Sequence, residues 1–264
     1  MFEGTDVIGL IAGEGRLPLF IYERLQPKPV VVGLGDVDRS LKVDLLMQNA
    51  DIEGVISFLK GRGVKLVFLA GKVPKTWIFD PSKLTSKSLA FLSSLKDKSD
   101  HEVLGRLVEL FEREGFKIGD YRTLVKDMLA PQGSFGSREP TPEEWRDISY
   151  GFNIAKRMAA MSFGQTVVLK KGAVLAVEAI EGTDEAIKRG ARYGGEGIVV
   201  VKVIKEGQDP RYDLPTIGAD TLKLLRDVKA SCLAVEAGMT VILDKEEVLR
   251  IASEGNIALV GVSS

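Results

Sequence analysis

Short apolar runs alternate with amphipathic stretches along the first half of the chain. Residues 7–12, 29–34 and 65–70 are aliphatic and β-branched, as buried strands are, whereas residues 52–62 and 99–115 have the apolar spacing of helices. Strands that alternate with helices pair in parallel, because the helix returns the chain to the same end of the sheet. The pattern therefore predicts an N-terminal Rossmann-like domain with a doubly wound parallel sheet over residues 1–130.

A second α/β domain is predicted after a segment rich in glycine. Residues 130–136 read Ala-Pro-Gln-Gly-Ser-Phe-Gly, a composition typical of a connector, so we predict a linker over residues 131–140. Thr141 then has the position of a helix cap, with proline directly after it and Glu144 three residues further on. Helices and strands follow to the C-terminus, which predicts a second domain over residues 141–264.

A hairpin signal indicates that the sheet of the second domain is mixed. Residues 165–170 and 173–180 are two β-branched runs separated by Lys171-Gly172, and the strand predicted over residues 198–204 comes after a helix. The hairpin gives antiparallel strands, whereas strands joined through helices are parallel. We therefore predict an α/β fold with two domains, the second containing a mixed sheet.

Composition excludes several classes of protein and site. The sequence of 264 residues has one cysteine and one histidine, and its formal net charge is −1. A single cysteine excludes an internal disulfide and fits a reducing compartment, and the balanced charge does not suggest a nucleic-acid binder. The first residues lack the basic region of a signal peptide, and no apolar run is long enough to cross a bilayer. We expect a cytoplasmic protein, and the few asparagines and glutamines beside many lysines and glutamates suggest a thermophile.

The histidine count also limits any metal centre. His101 is the only histidine, so a histidine-rich zinc or dinuclear site cannot be built within one chain. Any catalytic metal is therefore expected to be a hard cation held by carboxylates, water and substrate phosphate.

Two glycine-containing segments follow predicted strands of the first domain. Gly13 and Gly15 lie between a strand and a helix, where backbone amides can approach a phosphate, but Pro18 replaces the third glycine of the dinucleotide fingerprint. Lys72 follows the third strand at the carboxyl edge of the sheet, where ligands bind in open α/β folds. A tight turn and a solvated lysine are the alternative interpretations of these two features.

A cluster of carboxylates joins a strand to a helix in the second domain. Glu178, Glu181 and Asp184 are close in sequence, and Thr183 and Asp184 lie at the predicted N-terminus of the helix. Arg189 lies about one and a half turns further along. The cluster suggests a substrate site, and the alternative is an ordinary N-cap.

The polar loop over residues 205–218 has the most specific pattern. Asp209 and Asp213 flank Arg211 after a very apolar strand, in a loop stiffened by Pro210 and Pro215. Carboxylates can hold Mg²⁺ against a pyrophosphate, and arginine can neutralise the charge that develops during its cleavage. The loop therefore predicts phosphate chemistry.

Together these segments resemble UDP-2,3-diacylglucosamine pyrophosphatases of the LpxI type. The matching stretches occur in the same order, over residues 10–18, 71–74, 176–184 with Arg189, and 208–218. The resemblance implies a two-domain, Mg²⁺-dependent hydrolase that releases UMP and 2,3-diacylglucosamine 1-phosphate, a precursor of lipid A. It implies that the essential acidic residue is Asp213, with Asp209 second. Ser162 stands where the family commonly has an acidic residue.

The resulting predictions assign roles to particular residues. The predicted catalytic residues are Asp213, Asp209 and Arg211, and the two aspartates are also predicted ligands of Mg²⁺, with Mn²⁺ as a substitute. The predicted substrate-binding residues are Gly13, Gly15, Lys72, Thr183, Asp184, Arg189, Lys202, Gln208 and Thr216.

Partners and competing functions complete the predictions. The expected partner is a nucleotide-activated glycolipid substrate, and a transient contact with a membrane surface and a homodimer are left open. A non-catalytic nucleotide-sugar sensor would use the same residues for binding alone. An NAD-dependent oxidoreductase would rely on the glycine loop, but the missing third glycine argues against it.

Overall fold

The chain forms two compact units in a computed structural model. The model describes residues 6–73, 77, 79–97, 100–204, 209, 211 and 213–263, with the side chains of Asp100 and His101 excepted. Unit 1 comprises Met1–Lys126 together with Asp209–Asp213. Unit 2 comprises Asp127–Gln208 and Leu214–Ser264.

Unit 1 contains a five-stranded sheet in which every neighbouring pair is parallel, in the order β3-β2-β1-β4-β5. This order is that of a doubly wound sheet, so the predicted Rossmann-like domain is confirmed. The strands are β1 (Val7–Ala12), β2 (Val30–Leu34), β3 (Leu45–Met47), β4 (Val64–Ala70) and β5 (Lys117–Ile118). The helices are α1 (Leu17–Arg24), α2 (Ile52–Gly61), α3 (Ser86–Ser93) and α4 (Asp100–Arg113).

Apolar residues from strands and helices form the core of unit 1. Val67 of β4 and Leu59 of α2 are fully buried, and Phe111 of α4 lies against Phe116 with the ring centroids 5.5 Å apart. The side chain of Asp51 accepts a hydrogen bond from the amide of Gly54, which caps α2. The apolar residues of these helices thus pack against the sheet, as their spacing in the sequence predicted.

Unit 2 contains a six-stranded mixed sheet in the order β6-β13-β11-β9-β7-β8 and a separate parallel pair, β10 with β12. The central strands are parallel, whereas β6 and β7 run antiparallel to their neighbours, so the predicted mixed sheet is confirmed. The strands are β6 (Gly133–Ser134), β7 (Thr166–Lys170), β8 (Ala173–Val177), β9 (Val199–Lys202), β10 (Thr216–Ile217), β11 (Cys232–Glu236), β12 (Val241–Ile242) and β13 (Ala258–Val262). The helices are α5 (Pro142–Ala160), α6 (Thr183–Gly194), α7 (Ala219–Asp227) and α8 (Lys245–Glu254).

The segment predicted as a linker, residues 131–140, is part of unit 2. Its short strand β6 pairs with β13, and the guanidinium of Arg138 donates to the carbonyls of Asn256 (2.9 Å) and Ser231 (2.6 Å). Glycine and proline, which suggested a connector, are equally suited to an edge strand. The division between the units falls earlier, after Lys126.

Helix α5 begins with the predicted capping box. The hydroxyl of Thr141 accepts from the amide of Glu144 at 3.2 Å, and the Glu144 carboxylate accepts from the amide of Thr141 at 2.7 Å. Arg138 donates two further hydrogen bonds to this carboxylate, at 2.7 and 2.9 Å. The helix start is therefore fixed to the edge of the sheet by one buried acidic side chain.

Cys232 is fully buried on β11. Burial raises the pKa of its thiol, which disfavours the reactive thiolate. In the described part of the chain, no helix combines the length and the hydropathy that a membrane span needs.

Candidate active site

The loops after β1 and β4 meet at the point where the strand order of unit 1 reverses. The amides of Gly13 and Glu14 donate to the carbonyls of Ala70 (2.8 Å) and Lys72 (2.7 Å), and the Lys72 amide donates back to Glu14 (3.0 Å). A Cβ at Gly13 would lie 2.3 Å from the Lys72 carbonyl oxygen, so only glycine fits there. The glycine therefore permits two backbones to approach each other. The amides of Gly13 and Glu14 are thus both bonded to backbone, whereas the Lys72 side chain is exposed.

Asp209 and Arg211 form an ion pair in unit 1, and Arg211 also lies 4.0 Å from Glu112. The Asp209 carboxylate accepts from the backbone amide of Arg211 at 3.0 Å and from its guanidinium, with Nε at 2.8 and 3.0 Å and Nη2 at 2.6 Å. Burial acts to raise the pKa of Asp209, but the hydrogen bonds from Arg211 outweigh it, so this pKa lies below its ordinary range. Asp209 is ionised at neutral pH, and it fixes the plane of the Arg211 guanidinium.

A second pair with the same geometry lies in unit 1, and the sequence analysis missed it. The Asp120 carboxylate accepts from the Arg122 amide at 2.9 Å and from its guanidinium, with Nε at 2.9 and 3.0 Å and Nη2 at 2.5 Å. Burial again acts to raise the pKa of Asp120, and hydrogen bonds from Arg122 lower it overall. The spacing Asp-x-Arg, present at both places in the sequence, is the signal that could have found it.

The two pairs are neighbours. The amide of Tyr121 donates to the carbonyl of Arg211 at 3.3 Å. The charge of Arg211 contributes to lowering the pKa of Asp120, and the charge of Asp209 contributes to raising the pKa of Arg122. These four side chains are called the charge quartet below.

Asp213 follows the charge quartet on the chain. Its amide donates to the carbonyl of Asp209 at 3.2 Å, which closes a turn around Arg211. Hence two of the three predicted catalytic side chains are directly paired, and the third is attached to them through the backbone. Gln208, a predicted substrate-binding residue, lies outside the described residues.

The fit of this loop to a divalent cation depends on the substrate. In the described ranges, histidine, cysteine and acidic side chains assemble no group of three or more that could hold a metal ion. Asp209 and Asp213 nevertheless offer oxygen ligands, and Mg²⁺ is often held by one or two carboxylates with waters and substrate phosphates. The donor chemistry therefore fits a cation that arrives with a pyrophosphate better than one held by the protein alone.

Unit 2 has a buried polar cluster at the carboxyl end of its parallel strands. Lys202, the last residue of β9, pairs with Thr166 at the start of β7, and its ammonium donates to the Thr183 hydroxyl at 3.1 Å. The Thr183 hydroxyl lies 3.0 Å from the Glu178 carboxylate. Lys202 and Glu178 are only 6% and 9% exposed, so charges of opposite sign are buried around one hydroxyl.

Gln165, whose backbone contacts this cluster, has a buried side-chain oxygen without a partner in the described structure. The backbone amide of Gln165 donates to Glu178 at 3.3 Å, whereas its side-chain Oε1 is buried with no hydrogen-bond partner in the described structure. Gly164 permits this approach, because a Cβ there would lie 2.0 Å from the Glu178 carbonyl oxygen. A buried acceptor without a donor costs free energy, and such groups occur where a ligand or water supplies the donor.

Helix α6 has no side-chain cap at its N-terminus, so the alternative interpretation of this segment as an ordinary N-cap does not hold. Its N-cap is Gly182, with φ of 85°, and the Thr183 hydroxyl bonds to the buried cluster instead of capping the helix. Asp184 lies exposed in the first turn. Arg189 pairs with Glu181 at 2.8 Å and donates to the carbonyl of Val177 at the end of β8. Arg189 therefore points back toward the carboxylate cluster.

A buried acid fixes the start of the polar loop. Glu236, the last residue of β11, accepts from the backbone amide of Ile204 at 2.9 Å and from the ammonium of Lys156 at 3.2 and 3.3 Å. At the far end, the Thr216 hydroxyl donates to the Leu214 carbonyl at 3.3 Å. The sequence analysis did not predict the role of Glu236, since it depends on strand order.

The structure thus divides the predicted site residues between the two units. Unit 1 contains Gly13, Gly15, Lys72, Asp209, Arg211 and Asp213, and unit 2 contains Thr183, Asp184, Arg189, Lys202 and Thr216.

Comparison with known proteins covers almost the whole chain. The family model described as the LpxI N-terminal domain matches residues 7–128, and the model described as the LpxI C-terminal domain matches residues 131–260. The UDP-2,3-diacylglucosamine pyrophosphatase LpxI of Caulobacter vibrioides is 29% identical over 277 aligned residues, covering 97% of each chain.

Proposed function

The chain belongs to the LpxI family, and on this premise we propose that it hydrolyses the pyrophosphate of UDP-2,3-diacylglucosamine, a step of lipid A biosynthesis. The products are UMP and 2,3-diacylglucosamine 1-phosphate. The observation that carries the proposal is the similarity to the Caulobacter enzyme of that name over 97% of both chains. The charge quartet and the buried cluster supply groups suited to this chemistry.

The reaction adds water across a P–O–P bridge. The water oxygen bonds to one phosphorus, the bond from that phosphorus to the bridging oxygen breaks, and the bridging oxygen leaves with the other phosphate. Negative charge grows on phosphate oxygens in the transition state, so fixed cations lower the barrier. Cationic side chains that are already oriented before the substrate binds therefore favour the reaction.

We assign to Arg211 the role of stabilising this negative charge on the phosphate oxygens. Its guanidinium is held by Asp209 through two nitrogens, so it keeps one orientation without help from the substrate. A pre-oriented guanidinium loses less side-chain freedom on binding a phosphate than a mobile one. We propose that Asp213, two residues further along, binds a cation or orients the attacking water.

We further propose that turnover needs a divalent cation, Mg²⁺ or Mn²⁺, with Asp213 and Asp209 among its ligands. When bound, the cation would withdraw charge from the phosphate oxygens. Asp209 is ionised, as a ligand must be, and exchange of one carboxylate oxygen from Arg211 to the cation would leave the pair partly intact.

The buried cluster of unit 2 is proposed to bind an anionic part of the substrate. Lys202 supplies a positive charge, and the amides at the start of α6 supply the positive end of a helix dipole. The Thr183 hydroxyl accepts from the Lys202 ammonium at 3.1 Å and donates to Glu178 at 3.0 Å, so its proton could turn from that carboxylate to a phosphate oxygen. Gly15, Lys72, Asp184, Arg189, Gln208 and Thr216 keep their predicted substrate-binding roles.

Several broader expectations belong with this proposal. A cytoplasmic location, a transient contact with a membrane surface, a homodimer and adaptation to heat all remain predictions. The lipid tail of the substrate motivates the membrane contact, because the acyl chains are delivered from a bilayer.

The test is product analysis with purified protein. Incubation with UDP-2,3-diacylglucosamine and Mg²⁺ should convert the substrate to UMP and 2,3-diacylglucosamine 1-phosphate, separated by chromatography. A protein that binds the substrate in calorimetry but releases no UMP under any divalent cation would instead be a nucleotide-sugar sensor.

A further inference from the structure

We propose that the turn Asp120-Tyr121-Arg122 is a positioning element that holds Arg211 and Asp213 in their working geometry. The inference rests on the function proposed above and deepens it, since it assigns a role to residues outside the predicted polar loop. Asp120 and Arg122 act through the Asp209–Arg211 pair, which they orient.

The first support is the identical construction of the two turns. In each, an aspartate accepts from the amide two residues later and from the same residue's guanidinium at 2.5–3.0 Å. Such a turn fixes both the backbone and the arginine plane with one carboxylate. Each turn is therefore a preformed unit, although about ninety residues separate them in sequence.

The second support is a backbone hydrogen bond between the turns. The Tyr121 amide donates to the Arg211 carbonyl at 3.3 Å, and the Tyr121 side chain is 1% exposed. The Tyr121 carbonyl in turn accepts from the amides of Leu124 and Val125, at 2.9 and 3.2 Å. The first turn is thus fixed to the core of unit 1, and its hydrogen bond to the Arg211 carbonyl fixes the second turn to the same core.

The third support is the alternation of charge. Asp120 lies near enough to Arg211, and Arg122 near enough to Asp209, for their opposite charges to interact. Asp120 is also a like-charged neighbour of Asp209, and Glu112 approaches Arg211 at 4.0 Å. The charges are therefore balanced locally, and removing one of them leaves a like-charged neighbour without its counter-ion.

This balance predicts how single and double substitutions differ. Removing Arg122 leaves Asp120 beside Asp209 without its partner, so the two carboxylates repel and the polar loop shifts. Removing the charge of Asp120 as well abolishes that repulsion and leaves the Tyr121 to Arg211 backbone hydrogen bond. A double variant should therefore work better than the single one.

The experiment compares three variants of the full-length protein. They are the single variant Arg122→Ala, the double variant that combines Asp120→Asn and Arg122→Ala, and the control Arg106→Ala. Arg106 pairs with Glu102 and Glu109 on α4 and does not belong to the quartet. Misplacement of catalytic groups by about 1 Å costs up to about a hundredfold, so we expect Arg122→Ala to lower kcat about tenfold to a hundredfold with KM little changed. The double variant should recover most of kcat, and the control should match the wild type.

A second measurement is independent of turnover. The backbone amides of Arg211 and Asp213 both donate hydrogen bonds to Asp209, in the turn that does not contain Arg122. Arg122→Ala should therefore speed the hydrogen exchange of these two amides, while Arg106→Ala should not. If Arg122→Ala destabilises the fold, Arg122→Lys, which keeps the charge without the fork, replaces it and should show a smaller effect of the same kind.

Two outcomes would overturn the proposal. Unchanged kcat and unchanged exchange in Arg122→Ala would show that the turns are not coupled. A double variant as impaired as Arg122→Ala would mean that Arg122 acts on the substrate directly. Should the wild type fail to hydrolyse UDP-2,3-diacylglucosamine, the proposed function fails, and the exchange measurement still decides whether the turns are coupled.

Discussion

Single side chains in this molecule are oriented by partners before any substrate is present. Arg211 has Asp209, Lys202 has the Thr183 hydroxyl, and Arg189 has Glu181. A cation that is already oriented stabilises a transition state at little cost in reorganisation. Asp213 is connected to this arrangement by its backbone amide, which donates to the carbonyl of Asp209.

The first prediction at this scale is that Asp213→Ala abolishes turnover and keeps the fold. We expect kcat to fall about a thousandfold or more, because a group acting on the transition state is worth several kcal/mol. Substrate affinity should persist, since the substitution removes a negative charge near an anionic pyrophosphate. The control is Asp220→Ala, an exposed aspartate on α7, which should retain full activity. A folded Asp213→Ala protein with normal turnover would transfer the role to Asp209 or Asp184.

Metal removal gives a second prediction. Exhaustive treatment with EDTA should abolish hydrolysis, and Mg²⁺ or Mn²⁺ should restore it, because oxygen ligands and phosphates select hard cations. The expected thermal unfolding temperature is nearly the same with and without the cation, since the described residues form no closed metal cage. Full turnover by metal-free protein would contradict the assignment of Asp213 and Asp209 as ligands.

At the scale of elements, α5 is the best-defined case. Its start is fixed by Thr141, by Glu144 and by Arg138, which reaches across to the carbonyls of two other segments. Burial acts to raise the pKa of Glu144, but hydrogen bonds from Arg138 and Thr141 outweigh it and lower the pKa to about 2. The ionised form is therefore the one that stabilises the fold.

This shift predicts how stability depends on pH. The pKa falls from 4.5 to about 2, so the charged form contributes roughly 3 kcal/mol of stability at neutral pH. Because the folded pKa is the lower one, that contribution is complete above about pH 4.5 and is lost as the pH falls through about 2. Glu144→Gln should lower the unfolding free energy by about 2 kcal/mol at pH 7, and its difference from the wild type should shrink between these pH values.

Chemical denaturation over a range of pH measures this difference. Glu143→Gln provides the matched control, since Glu143 is exposed in the same first turn and should change stability by about 0.5 kcal/mol or less. A Glu144→Gln difference that does not depend on pH would contradict the assigned role.

Local signals in the sequence predicted these elements well. The capping box at Thr141 and the hairpin at Lys171-Gly172 depend on a few adjacent residues, and both occur where expected. Strand β6 was missed because a two-residue edge strand has no periodicity of its own. The partners of the site residues were missed for a different reason. Thr183 lies nineteen positions from Lys202, and only strand order and helix placement bring the two together.

At the scale of the whole molecule, each unit has its own sheet and its own core. Unit 2 is filled by two apolar clusters, which include Val200 and Leu233 in one and Val201 and Ala234 in the other. These adjacent residues alternate between the clusters, as expected for strands buried on both faces. A domain with its own core can fold alone.

The prediction at this scale concerns a fragment of residues 127–264. We expect it to be monodisperse and to unfold in one cooperative thermal transition, because its sheet and helices are contained within that range. Circular dichroism in the near and far ultraviolet should follow the same transition. Absence of a near-ultraviolet signal would show that unit 2 depends on the rest of the chain for its packing.

The grouping of Asp209–Asp213 with unit 1 has a consequence for synthesis on the ribosome. Chains emerge from the N-terminus, and domains usually fold as they appear. Here the turn at Asp120 cannot form its hydrogen bond to Arg211 until Asp127–Gln208 of unit 2 have been synthesised. A nascent chain arrested before Asp209 would expose an incomplete charge quartet, so its N-terminal unit should be more sensitive to protease than that of the finished protein. The loop that we assign to catalysis would then also be the last piece that the first unit receives.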